Sequence, residues 1–167
     1  MKNVVIIIPT YNESGNVTPV TKALGKVFNT LSSDYSPMIL FVDDQSPDGT
    51  SAVIRTLIKK YPYVKLLENK RKGGLGHAYK KGMIYATDKL KADIVFELDA
   101  DLSHDPTKIP QMLGAIKSGS DLVLGSRYMN GGGIPSNWPW YRKFLSVTGN
   151  IFIRLVMGNL KIKEWTT

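Results

Sequence analysis

The chain has 167 residues, a net charge of +8 and no cysteine. That length suits one domain with a sizeable core, and the missing thiols exclude disulfides, thiolate metal sites and a cysteine nucleophile. No apolar run reaches the roughly 18 residues of a membrane-spanning helix, and residues 4–8 are too short for the core of a signal peptide.

Residues 4–8, all Val or Ile, read as a fully buried strand. Val17, Val20, Ala23, Leu24, Val27, Phe28 and Leu31 then recur at helical spacing. Residues 38–42 form a second strand. Val53, Ile54, Leu57, Ile58 and Tyr61 mark a second helix, which Pro62 ends. Residues 64–67 form a short third strand. Leu75, Ala78, Tyr79, Met83 and Ala86 give a third helix. Residues 94–98 are the fourth strand, Ile109, Met112, Leu113 and Ile116 the fourth helix, and residues 122–124 a fifth strand. The glycine- and proline-rich stretch 129–139 reads as a flexible surface loop. An amphipathic helix follows, carrying Phe144, Leu145, Thr148, Ile151, Phe152, Leu155 and Val156. The alternation predicts an α/β fold, a mostly parallel sheet with helices on both faces.

In such sheets ligands bind beyond the carboxyl ends of the strands. Asp99 and Asp101 follow the fourth strand and flank Ala100, so in extended geometry both carboxylates face one way. Like charges so placed call for a cation, and Mg²⁺ takes one or two carboxylates plus phosphate oxygens. The competing role, a cap before Pro106, suits Asp105 better. His104 could approach the metal, with a structural role beside the pair favoured.

The first strand ends in Pro9-Thr10-Tyr11-Asn12-Glu13. Pro9 ends the ladder there. Tyr11 offers a flat face for a base and Glu13 an acceptor for base or ribose. An ordinary turn capped by Asn12 or Ser14 accounts for the segment equally well. Asp44, at the tip of the second strand, suits the N–H edge of a base. Asp48 and Thr50 suit a turn and a helix cap. Lys72-Gly73-Gly74 opens the third helix, and a glycine-rich helix N-terminus is a natural phosphate seat. Arg127 follows the predicted fifth strand, with a planar fork matched to phosphate.

Lys59, Lys60, Lys65, Lys70, Arg71, Lys72, Lys80 and Lys81 crowd the middle of the chain. Such charge fits a phosphate-rich partner or a solvated basic face. Nothing resembles a nucleic-acid-binding module, so no nucleic acid is expected. Trp138, Trp140 and Tyr141 beside Arg142 and Lys143 suit a membrane interface, or a loop folded onto the domain.

Together these segments resemble the polyprenol-phosphate (dolichol-phosphate) mannose synthases, inverting glycosyltransferases of the GT-A fold. The resemblance runs over essentially the whole chain. Ser46-Pro47-Asp48-Gly49-Thr50 and the run from Trp138 through Arg142 to Ser146 are its most particular parts. It implies a GT-A catalytic domain over residues 1–167, with an acceptor loop at about 129–140. Pro9, Thr10, Tyr11, Glu13, Val42, Asp44, Lys72, Gly74, Asp99 and Ala100 would hold the nucleotide. Asp99, Asp101 and Ser103 would bind Mg²⁺ or Mn²⁺, Ser103 standing where some members carry glutamine. Arg127, Arg142 and Ser146 would bind the acceptor phosphate, with Asp101, Arg127 and Arg142 catalytic.

The implied partners are GDP-mannose, a polyprenyl or dolichyl phosphate and a membrane surface. The implied place is cytoplasmic, peripheral at the cytoplasmic face of a membrane. The family continues beyond the point matching Thr167, so the resemblance implies a C-terminal truncation and anchoring segments outside this chain. Two other readings stand beside it: a sibling transferase using a UDP-sugar such as UDP-glucose, and a non-catalytic nucleotide-binding or membrane-docking fragment.

Overall fold

A computed structural model describes residues 1–126, 133, 139–156 and 158, apart from the side chains of Arg142 and Arg154. The chain divides into two compact units, Met1–Gly114 and Ala115–Thr167. In the first, β1 (Lys2–Thr10), β2 (Tyr35–Asp43), β3 (Val64–Glu68) and β4 (Ile94–Glu97) form a parallel sheet in the order β3-β2-β1-β4. Its helices are α1 (Val17–Phe28), α2 (Thr50–Lys60), α3 (Leu75–Asp88) and the first turns of α4 (Ile109–Lys117).

Strand periodicity divides the core in two. Val4, Ile6, Ile8, Ile39 and Phe41 face one side, where they meet α1, α2 and Ile109 and Leu113 of α4. Val5, Ile7, Leu40 and Val42 face the other side and meet α3. Alternate residues point to opposite faces, so an unbroken apolar run is what a sheet covered on both sides requires.

On α3, Ala78 and Ala86 are buried and Tyr79 packs against their cluster, as the sequence reading has them, but two of its residues lie off that face. Leu75 and Met83 are exposed, and the buried stripe is Ala78, Gly82 and Ala86. A Cβ at Gly82 would lie 2.7 Å from Ile7 Cγ2 and 3.1 Å from Val42 Cγ2. Small side chains bring the helix axis close to β1 and β2.

Two other expectations are corrected. Pro9 does not end β1, which runs to Thr10; Pro9 still pairs with Val42. The proline is tolerated because the β1–β4 ladder has already ended at the Ile7–Glu97 pair. Residues 122–124 form no strand, and Leu122 and Leu124 are exposed. A short apolar run becomes a strand only by pairing, and it has no ladder partner among the described residues.

In the second unit, α5 (Trp140–Val156) carries exposed Trp140, Tyr141, Phe144, Leu145, Phe152, Leu155 and Val156. Asn150 Nδ2 donates to the Ser146 carbonyl at 2.9 Å. No helix among the described residues is long and apolar enough to cross a membrane.

Candidate active site

The chain moves outward from β1 to β2 and β3, then returns to place β4 on the other side of β1. That reversal is a topological switch point, where the loops after neighbouring strands part and leave a crevice. A cleft of about 350 Å³ opens there. The loop after β1 contributes Tyr11 and Glu13, the tip of β2 gives Asp44, and the loop after β4 gives Asp99, Ala100 and Asp101. The β3–α3 connection supplies Lys72 and Gly74, and Pro9 and Thr10 line the inner end.

Nine of the ten residues expected around a nucleotide therefore line one cleft. Val42 is the exception: it is fully buried beneath α3. Ser103 is outside the lining and touches the site through Asp101, whose Oδ1 accepts its N–H at 2.9 Å. That bond, outweighing partial burial, holds the Asp101 carboxyl below the ordinary carboxylate range. Arg127 and the side chain of Arg142 lie outside the described residues, as does nearly all of the stretch 129–138. Ser146 lies in α5, in the second unit.

Adjacent aspartates at the end of β2 have separate tasks. Asp43 Oδ1 accepts the Thr10 hydroxyl at 3.0 Å and the Ser46 hydroxyl at 2.6 Å, so it braces the loop. Asp44, only 4% exposed, accepts Asn69 Nδ2 at 2.8 Å, Gly73 N–H at 2.9 and 3.1 Å, and Gly74 N–H at 2.8 Å. Burial alone raises its pKa; the bonds from Asn69, Gly74 and Gly73 outweigh that and leave it lowered. The N–H groups read from sequence as a phosphate seat are thus bound to Asp44. Gly74 takes φ +82°, which favours glycine.

The loop after β1 is held by its neighbour. Three consecutive N–H groups, of Asn12, Glu13 and Ser14, donate to Ser46 Oγ, Thr50 Oγ1 and Asp48 Oδ2 at 3.0–3.1 Å. This is the structural work of the Ser46–Thr50 motif. Asp48 also accepts the Thr50 N–H at 3.0 Å, and its pKa is lowered chiefly by the Thr50 hydroxyl. Neither Asn12 nor Ser14 caps α1; its N-cap is Asn16, whose side chain reaches Glu13 Oε2 at 2.6 Å.

Asp99 is braced from two sides. The Tyr79 hydroxyl on α3 lies 3.3 Å from Asp99 Oδ1 and 3.4 Å from the Leu98 carbonyl, and burial next to Asp99 and Glu97 raises its pKa. His104 Nδ1 accepts the Asp99 N–H at 3.2 Å. The same Nδ1 lies 3.8 Å from Asp99 Oδ2. Glu97 is also raised, by burial and by Asp99. Asp105, as expected, caps the turn before α4 by accepting the Thr107 N–H at 2.9 Å.

Asp99 and Asp101 offer hard carboxylate oxygens to the same cleft, a donor type that suits Mg²⁺ or Mn²⁺. Among the described residues no group of three His, Cys, Asp or Glu side chains forms a metal cluster. Two carboxylates with substrate oxygens completing the shell is the way Mg²⁺ is usually held.

Three residues just past the strands around the cleft have left-handed backbones without being glycine: Asn12 (φ 61°), Gln45 (φ 62°) and Leu102 (φ 61°). Gln45 uses its turn to donate Nε2 to the Lys70 carbonyl at 2.7 Å. Gln45, Asn69 and Tyr79 were missed as supporting residues. Asn69 carried a usable signal, as a polar residue at a strand tip level with Asp44.

Sheet order, switch point and cleft define a GT-A fold, the class of S. aureus TarS residues 1–349 in complex with UDP. That structure matches with a TM-score of 0.56 and 22% identity, over 81% of this chain and 38% of the other. The chain belongs to glycosyl transferase family 2, whose model matches residues 5–163. It is 39% identical over 154 residues to the polyprenol monophosphomannose synthase of Mycolicibacterium smegmatis, covering 92% of this chain and 55% of that protein. It is 40% identical over 156 residues to the dolichol-phosphate mannosyltransferase of Pyrococcus furiosus, covering 93% and 42%. The chain spans about half the length of the curated relatives it matches.

Proposed function

We propose that the protein transfers mannose from GDP-mannose to a polyprenyl or dolichyl monophosphate, with inversion at the anomeric carbon. The observation that carries this is the convergence of Tyr11, Asp44, Lys72, Asp99 and Asp101 on one cleft, in a chain similar to polyprenol-phosphate mannosyltransferases. Tyr11 supplies a face for the base. Asp44 is ionised, and the acceptor capacity left by its Asn69, Gly73 and Gly74 partners suits a single N–H donor on the edge of a base.

An oxygen of the lipid phosphate attacks the anomeric carbon, and the bond from that carbon to the GDP oxygen breaks. GDP departs with the electron pair. A phosphate monoester has its second pKa near 6, so about neutral pH it is already anionic and no strong general base is needed. Asp99 and Asp101 would hold Mg²⁺ or Mn²⁺, which when bound neutralises charge on the leaving diphosphate. Arg127, Arg142 and Ser146 are assigned to the acceptor phosphate, keeping two anions within reacting distance. We read the protein as peripheral at the cytoplasmic face of a membrane; the exposed aromatic residues of α5 support contact with a membrane surface.

The deciding experiment is transfer of labelled mannose from GDP-mannose to a polyprenyl phosphate, run with this chain and with a longer version. A thermal-shift panel of GDP against UDP with Mn²⁺ accompanies it, since a bound nucleotide stabilises in proportion to affinity. Preference for UDP moves the assignment to the UDP-sugar sibling. Nucleotide binding without transfer by either version leaves a binding fragment.

A further inference from the structure

Lys72 Nζ lies 3.5 Å from the centroid of the Tyr11 ring. Both residues line the cleft, and Tyr11 is 40% exposed. An ammonium over an aromatic face is attracted by the ring quadrupole. A base that stacks on the face Lys72 covers must displace the ammonium.

The backbone on either side of Lys72 is fixed. The Lys70 carbonyl is held by Gln45, and the N–H groups of Gly73 and Gly74 are held by Asp44. The Lys72 side chain is exposed while its main chain is held in place. Asp99 and Asp101 line the same cleft, on the side the preceding reading gives to the diphosphate.

We propose that Lys72 makes the cleft discriminate nucleoside diphosphates from nucleosides, by covering Tyr11 in the free protein and exchanging that ring for the diphosphate when a nucleotide enters. A nucleoside must displace the ammonium and gives it nothing to pair with. A diphosphate displaces it and offers two anionic groups, so the lost contact is replaced by a stronger one. This rests on the reading that the cleft takes a nucleotide.

The test is a set of direct NMR titrations on the parent chain, Lys72→Ala and Lys72→Arg. Each is titrated with guanosine, GDP, uridine and UDP, and the pair whose diphosphate binds the parent more tightly is compared. In Lys72→Ala the nucleoside should bind about two- to fivefold more tightly, the worth of an exposed cation–π contact. The diphosphate should bind at least about twofold and up to about seventyfold more weakly, the loss of one charged partner net of the same ring contact. Lys72→Arg keeps a cation able both to cover the ring and to pair with phosphate, so it should still favour the diphosphate over the nucleoside. Unchanged or weaker nucleoside binding in Lys72→Ala overturns the exchange and leaves Lys72 an ordinary phosphate ligand. Unchanged diphosphate binding overturns it as well. If neither GDP nor UDP binds the parent, the nucleotide reading fails and this inference fails with it.

Discussion

Replacing Asp44 by asparagine isolates the contact that ties the β3–α3 connection to the sheet. Three N–H groups converge on this carboxylate, two from backbone at Gly73 and Gly74 and one from Asn69. An amide keeps one acceptor oxygen and turns the other position into a donor facing those N–H groups. At least one charge-assisted bond is then lost, at about 1.5–3 kcal/mol. The loop can also swing free, so the total is capped by the cost of local opening. The expected loss is about 2–3 kcal/mol, or about 4–12 °C in Tm for a chain of this size. Far-UV circular dichroism is the right probe, because all three tryptophans (138, 140 and 165) lie outside the first unit. Amide exchange at Gly73 and Gly74 should quicken in the variant. The folded pKa of Asp44 is lowered. Its contribution is therefore complete above the unfolded value of about 3.9 and fades as pH falls through the folded value. The asparagine variant should lack that acid limb. Unchanged protection at both glycines would refute the reasoning.

Asp101→Ala should lower transfer at least about 10²-fold, the scale of losing one preorganised charge-stabilising group; near-normal turnover with saturating Mg²⁺ would remove Asp101 from the site. Gly82→Ala should destabilise the fold by about 1–3 kcal/mol, because its new Cβ meets Ile7 and Val42. A melting temperature equal to the parent's would mean that α3 shifts without cost. Arg142→Ala should raise KM for the polyprenyl phosphate while GDP binding, measured by calorimetry, stays near parental; equal loss of both would assign Arg142 to the donor.

The order of strands and helices was legible because the apolar runs of β1 and β2, buried on both faces, alternate with segments of helical spacing. Strand tips located the cleft through one rule, ligands beyond the carboxyl ends, which reached Tyr11, Asp44 and Asp99 without knowledge of their neighbours. Pairing across the sheet was not legible. Asp44 meets partners 25 to 30 positions away, and no local pattern announces that Gly73 and Gly74 donate to it. The same limit explains residues 122–124, whose composition favours a strand while pairing decides. On α3, large side chains drew attention to Leu75 and Met83, yet close approach to the sheet is made by the small ones.

Asn12, Gln45 and Leu102 hold backbone angles that side chains other than glycine resist, at a cost of order 1 kcal/mol each. Each stands where the chain leaves the sheet to form the cleft wall. The mouth of the site is therefore a spring-loaded rim, kept bent by the rigidity of the strands beneath it. Glycine at Leu102 would relax the rim and give Asp101 more freedom of direction. Variants selected only for heat resistance are thus drawn toward these positions, and the gain would come at the expense of a well-aimed carboxylate.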